Sequence, residues 1–134
     1  MSDAKRLRLT VITPVRTALA VNAQSVVVPA FDGELGVLPG HAALLSLLGV
    51  GEMRITTVEG QTRRLAIRGG FLQVKRNQVT VLTPESFASE EIKLDALQSE
   101  LEKLNTEKPT NLDEREAWET NRYWVRARQR VIHA

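Results

Sequence analysis

The 134-residue chain has no cysteine, only six aromatic side chains and no apolar run long enough to cross a bilayer. Without thiols there is neither a disulfide scaffold nor a thiolate metal site, and a reducing compartment fits. The longest apolar stretch, "AALLSLLGV" at 42–50, falls well short of the roughly 20 residues of a spanning helix. The start, "MSDAKRLRLT", passes from charge straight into a strand-like pattern. It lacks the apolar core and cleavage site of a signal peptide. A large excess of one charge is also missing, and a net +2 is too small for a nucleic-acid footprint. What remains, 43% hydrophobic and 25% charged residues, is the composition of a globular domain, here one domain or a small domain with an appendage.

The charge that is present is segregated. Residues 1–88 carry ten basic and six acidic side chains, and residues 89–119 carry four basic and ten acidic. Residues 120–134 hold four arginines and no acid. Segregation of this kind points to partner surfaces.

Two periods divide the chain. "LRLTVIT" (7–13) alternates apolar and polar residues as a half-buried strand does, and Pro14 should end it. "SVVVPA" (25–30), "EMRITTV" (52–58), "RRLAI" (63–67), "FLQV" (71–74) and "QVTVLT" (78–83) follow, with hairpin turns expected around Gly60 and Asn77. Many short strands at this spacing indicate an antiparallel sandwich or barrel. After residue 88 the period changes. Ser89 is a candidate N-cap, with Glu90 and Glu91 in the first turn. Leu94, Leu97, Leu101 and Leu104 then form one narrow apolar stripe. Pro109 interrupts, Asn111 and Glu114 resemble a capping pair, and a second helix runs from Leu112 to about 132, roughly 30 Å. Its stripe is Trp118, Val125 and Ile132 with Ala117, Trp124 and Val131, interrupted by Asn121 and Arg128. The expected architecture is therefore α+β, with a sandwich over 1–86 and an antiparallel helical hairpin over 87–134. A loop of about seven or eight residues joins the helices, and their stripes bury each other. Little apolar surface is then left to grip anything else, and the appendage is expected to be mobile.

"PAFDGELGVLPGHAALLSLL" (29–48) concentrates chemistry in what reads as a loop. Asp32, Glu34 and His41 are enough ligands for an open metal site, but no HxxxH-type spacing supports them and the other histidine, His133, is penultimate. A phosphate cradle needs a lysine where this loop has a glutamate. No second carboxylate cluster completes an acid–base pair, and no nucleophile elbow exists. Turn-forming roles for Gly33, Gly36, Pro39 and Gly40 explain the glycines. They do not explain two acids beside the apolar Phe31 and Leu35, which a docking loop does.

"VITPVRT", "DGELGVLPGHAALL", "GEMRI" and "RGGFLQVKRNQVTVLT" occur in this order across residues 7–84, with a helical hairpin after them. The ordered set closely resembles the epsilon subunit of bacterial and chloroplast F-type ATP synthases. The resemblance implies a β-sandwich of about ten strands with a C-terminal two-helix domain. It implies a non-catalytic rotor subunit without a cofactor, bound to gamma and resting on the c-ring, peripheral to the cytoplasmic face of a bacterial inner membrane or its organelle equivalent. Phe31, Asp32, Gly33, Glu34 and Leu35 take the place of the c-ring contact, where each exposed ion pair contributes only about 0–1 kcal/mol. Thr13 and His41 take gamma-facing places, although His41 also suits a structural histidine.

In the family the hairpin folds on the sandwich or extends along gamma into the alpha/beta hexamer to block hydrolysis. Arg122, Arg126, Arg128 and Arg130 suit a contact with an acidic stretch of beta in that extended state. They equally suit neutralisation of the helix C-terminus and the acidic first helix. The ATP-binding pattern of some members is kept at Asp95, Arg126, Ala127 and Arg130, but Gln98 and Ser99 stand where Arg and Ala are expected. Losing that arginine removes a phosphate contact of about 1.5–3 kcal/mol, so ATP binding is expected to be weak or absent. The alternative from another class is a stand-alone β-sandwich binding module whose hairpin dimerises.

Overall fold

A computed structural model describes residues 5–133. The start "MSDA", part of the stretch in which no signal peptide is expected, and Ala134, the last residue of the expected hairpin domain, lie outside them. Seven strands come first: β1 (Leu7–Ile12), β2 (Thr17–Ala30), β3 (Gly33–Val37), β4 (Leu44–Thr57), β5 (Thr62–Lys75), β6 (Gln78–Leu82) and β7 (Ser86–Ala88). Helices α1 (Leu94–Thr106) and α2 (Leu112–Ile132) follow.

Three of the strands are fourteen residues long, and each changes partners part-way. The early part of β2 pairs with β1, and its later part with β4 and β3. β4 and β5 stay paired throughout, but β5 takes β7 beside its first half and β6 beside its second. Two layers result, five strand segments in each. The seven strands thereby supply the ten segments that the resemblance implies. Layer one holds β3, late β2, late β4, early β5 and β7; layer two holds early β2, β1, β6, late β5 and early β4.

The bend depends on glycine. At Gly70, φ is +115° and an added Cβ would lie 1.8 Å from the Leu82 carbonyl oxygen, so no other residue fits. One pair departs from the antiparallel pattern: β1 and β6 run parallel, Arg8 opposite Gln78. The two strands are joined by no short turn, so nothing fixes their direction locally, and their pairing closes the ring β1–β6–β5–β4–β2. Leu7, Leu9, Val11, Leu72, Val74, Val79 and Val81 from layer two meet Val26, Val28, Val37, Met53, Ile55, Leu65 and Ile67 from layer one in a single core.

Residues 29–48 are not one loop. Phe31 and Asp32 turn β2 into β3, and Leu38–Ala43 carries the chain into β4. Glycine-rich "GELGV" has low intrinsic strand preference, and pairing along β2 supplies what its sequence lacks. The expected turns do form, at Gly60 (φ +89°) and at Arg76–Asn77, both left-handed.

The hairpin differs in three respects. Ser89 does not cap α1. Residues Ser89–Glu91 form a single 3₁₀ turn, Glu91 accepts from the Ala88 N–H at 2.9 Å, and α1 begins only at Leu94. The offset lets half-buried Ile92 fill the space between both hairpin clusters. The loop, 107–111, is shorter than expected because Thr106 stays helical and Asn111 already caps α2, accepting from the Glu114 N–H at 2.8 Å. Glu114 reaches one residue further back, to the N–H and hydroxyl of Thr110.

The third difference concerns packing. The α2 stripe divides into two: Trp118, Val125 and Ile132 face Leu97, Leu101 and Leu104 of α1. Trp124, Ala127 and Val131 instead cover Ala66, Val50 and Phe87 on the outer face of layer one. The expectation that little apolar surface is left to grip anything else is therefore corrected: one side of α2 covers the sheet. Positions seven apart share a direction, and α2 has two such series about 100° apart around its axis. The interruptions have partners as well. Arg128 pairs with Glu100 at 2.5 Å and stacks on Trp124 at 4.8 Å, and Asn121 accepts from Arg68, which also holds Glu85 at 3.0 Å.

Candidate docking surface

With α2 covering layer one, the outer face of layer two stays open. Strand register divides it into rows. Leu47, Phe71, Leu82 and Ile12 stand side by side across β4, β5, β6 and β1. The next row is Leu45, Gln73, Thr80 and Thr10, and the third is Lys75, Gln78 and Arg8, ending on Asn22. Relative exposures of 52% for Leu47, 50% for Phe71, 49% for Leu82 and 72% for Leu45 mark this as apolar surface left in water. A contiguous patch of this kind on a sheet is the signature of a protein contact. At the end of the apolar row, Ile12, Thr13, Pro14, Phe71, Leu82 and Pro84 line a hollow of about 410 Å³, sized for apolar side chains of a partner.

The expected gamma-facing residues fall at opposite ends of this face. Thr13 borders the hollow, buried, with its hydroxyl donating to the Arg16 carbonyl at 3.1 Å and so setting the Thr13–Arg16 turn. That turn exposes Val15. His41 lies at the cationic end, where the Gly40 N–H donates to Asn77 at 2.8 Å; its Nδ1 lies 2.8 Å from the Ala42 carbonyl oxygen. His41 is thus half-buried and structurally engaged, yet at the rim of the open face.

The expected ring-contact residues sit elsewhere, on the β2–β3 hairpin. Phe31, Asp32 and Gly33 are exposed at its tip, while Leu35 packs against the core. Glu34 is exposed but already paired. Arg54 donates to both of its oxygens, at 2.8 and 3.2 Å, and these bonds, opposed by slight desolvation, hold its carboxyl below the usual range. Arg54 extends the chain of charge to buried Glu52, at 3.6 Å, which Arg64 holds at 2.9 Å.

Of the four arginines in the acid-free end of α2, Arg126 and Arg130 are exposed, Arg122 stacks on Trp118 at 4.7 Å, and Arg128 is buried between Glu100 and Trp124. Asp95 is exposed at the start of α1. Among the described residues, no hydrogen bond or ion pair joins Asp95 to Arg126 or Arg130.

The model of the ATP synthase delta/epsilon chain β-sandwich domain matches residues 6–88. The chain belongs to this family. It is 42% identical to the ATP synthase epsilon chain of Carboxydothermus hydrogenoformans over 100 residues, 75% of this chain and 74% of that one. It is 32% identical to the chloroplastic epsilon chain of Guillardia theta over 131 residues, 96% and 98% of the two. A chain in the cryo-EM structure of the Euglena gracilis mitochondrial ATP synthase (OSCP, F1 and c-ring) shares the fold with a TM-score of 0.83 at 23% identity, covering 96% of this chain and 82% of that one. Membership accounts for the residues 7–84 motifs, and the relatives' epsilon name extends across the hairpin.

The residues that make the open face were not visible as a site in the strand pattern. Their signal was the apolar doublet. Val11–Ile12, Leu44–Leu45, Leu47–Leu48, Phe71–Leu72 and Val81–Leu82 each put one apolar side chain on either side of the sheet. A strand with one wet face has no such doublets.

Proposed function

We propose that this chain is the epsilon-type central-stalk subunit of a rotary ATP synthase, docking on gamma through the outer face of layer two and on the c-ring through the β2–β3 tip. The observation that carries this reading is the open Leu47–Phe71–Leu82 row, apolar surface that the fold's own helices leave uncovered. The neighbours in the Euglena complex and in the Tetrahymena thermophila central stalk with c-ring come from such assemblies. Gamma takes the apolar row and the hollow beside Thr13. Phe31, Asp32 and Glu34 meet the ring, with Asp32 free for a basic loop and Glu34 shared with Arg54.

In this role the chain transmits torque and makes no bonds itself; it is an accessory subunit without catalysis. It reaches the membrane only through the complex, on the side that carries the catalytic hexamer, which in bacteria is cytoplasmic. No described helix is long and apolar enough to cross a bilayer. The sandwich ends at Ala88, and residues beyond it form the regulatory unit. Unpacked from the sheet, α2 would present Arg122 and Arg128 along with Arg126 and Arg130 to beta. ATP remains a poor ligand, because Gln98 supplies no phosphate charge.

Leu47→Asp and Phe71→Asp test the docking face. Each places a carboxylate in the buried centre of the contact and should lower recovery with gamma at least 100-fold, about 3 kcal/mol. Circular dichroism should be unchanged, since neither side chain is in the core. Full recovery with gamma in both variants would refute the assignment.

A further inference from the structure

The open face has a polarity along its strands. Its apolar row and its cationic row are four residues apart, about 13–14 Å, with the uncharged Gln73–Thr80–Thr10 row between them. None of the residues in the three rows is a carboxylate, in a chain with sixteen of them. Arg8, Lys75 and neighbouring Arg76 are exposed. Among the described residues, the Arg8 guanidinium has only a long 3.5 Å contact with Asn22, and the side chains of Lys75 and Arg76 have no hydrogen-bond or ion-pair partner. Among the described residues, the acids nearest in sequence to Lys75 and Arg76 are Glu85, which pairs with Arg68, and Glu59, in the β4–β5 turn beside Asn22 and off the face. Other cations of the sandwich have carboxylate partners, as at Arg54–Glu34, Arg64–Glu52 and Arg68–Glu85, although exposed Arg63 has no ion pair among the described residues. What sets this end apart is that its cations stand together at one end of a face whose rows hold no carboxylate.

We infer that Arg8 and Lys75, with Arg76, form an electrostatic register element that seats an acidic segment of gamma about 13–14 Å from the apolar ridge filling the Leu47–Phe71–Leu82 row. The inference rests on the docking reading above and adds the chemistry and orientation of the partner. An apolar row alone can be met in either direction along the strands, and charge at one end removes that ambiguity. The layout suits a rigid protein surface better than a bilayer. A membrane-bound site surrounds an apolar tip with cations, whereas here they are confined to one end of a flat sheet.

The two rows should separate kinetically. Rim charges act mainly on association and its salt dependence, and buried apolar contacts on dissociation. The test measures binding of the full-length chain to a gamma-containing F1 assembly depleted of its epsilon subunit, between 50 and 300 mM salt. For Arg8→Glu/Lys75→Glu, we expect the association rate constant to fall about tenfold at low salt and its salt dependence to flatten or invert. Arg8→Gln/Lys75→Gln should give an intermediate value, and dissociation should change less than threefold in both. Phe71→Asp should abolish binding at every salt concentration.

Unchanged association and salt slope in the charge reversal, with binding still lost in Phe71→Asp, would overturn this inference and leave the docking face standing. Wild-type binding by Phe71→Asp would overturn the docking face itself. A third arm adds the free chain to vesicles with 30 mol% phosphatidylglycerol. Binding there that needs Arg8 and Lys75, without a change in F1 association, would assign the row to lipid instead.

Discussion

At Glu34, two guanidinium hydrogen bonds from Arg54 hold the carboxyl below its ordinary value of 4.5, and Arg130 of α2 adds a smaller attraction. A depressed carboxyl stabilises the fold at pH above the ordinary value, and the stabilisation is lost as pH falls through the folded value. The same sign applies to Glu114, lowered by the N–H and hydroxyl of Thr110, so acid loosens both the β2–β3 hairpin and the start of α2. Titration of Glu34 followed by NMR should give a midpoint below 4.5, returning toward it in Arg54→Gln. A midpoint at or above 4.5 in the unsubstituted chain would contradict the clasp. For the proposed ring contact, the consequence is that Glu34 would meet a cationic partner only in competition with Arg54. Asp32, one residue past the exposed ring of Phe31, is the readier of the two acids.

The contact between α2 and layer one sets the position of the hairpin. Trp124, Ala127 and Val131 bury against Ala66, and a large apolar side chain buried this way stabilises by about 1.5–3 kcal/mol. Against that gain stands Glu52, opposite Ala66 in the ladder and so beneath the same helix. One of its oxygens accepts from Arg64, and the other is buried without a hydrogen-bond partner. A buried carboxylate so placed costs about 1–3 kcal/mol, and replacing such a group with an apolar one is commonly neutral or stabilising. Glu52→Met should therefore tighten α2 on the sheet. Arg54 keeps Glu34, and Arg64 is exposed enough for water to replace its partner. Amide exchange in α2 should slow about fivefold, equivalent to about 1 kcal/mol. Faster exchange would show that Glu52 holds the helix down.

For the whole molecule, the layers divide the work. Layer one carries the hairpin on its outer face, and layer two leaves its own face open, so a partner on the open face leaves the hairpin free to move. Removal of residues 89–134 retains β7, which ends at Ala88, and exposes only the small Ala66–Val50–Phe87 patch. In a reconstituted complex this truncation should raise ATP hydrolysis severalfold while assembly with gamma is retained. Unchanged hydrolysis would remove the inhibitory role and leave the stalk role intact. The dimerising-hairpin alternative has no stripe left to use. Apart from exposed Ala117, both apolar series of α2 are occupied within the chain, and its large exposed apolar side chains, Leu112 and Tyr123, lie far apart along the helix.

The sequence by itself determined where strands give way to helices, because a period of two and a period of three to four are local properties. It also determined the turns at Gly60 and Asn77 and the cap at Asn111, each dictated by one residue's own stereochemistry. Family membership was equally legible, since the ordered motifs survive without any contact being known. Only the tertiary structure decided which side of each strand faces water. An apolar doublet such as Phe71–Leu72 fits either assignment until the layers close. It also decided that α2 divides its apolar residues between α1 and the sheet, that β1 runs parallel to β6, and that Glu34 and Arg54 meet. These depend on contacts between residues distant in sequence, whose geometry is set by the closing of the ring and by the bend at Gly70.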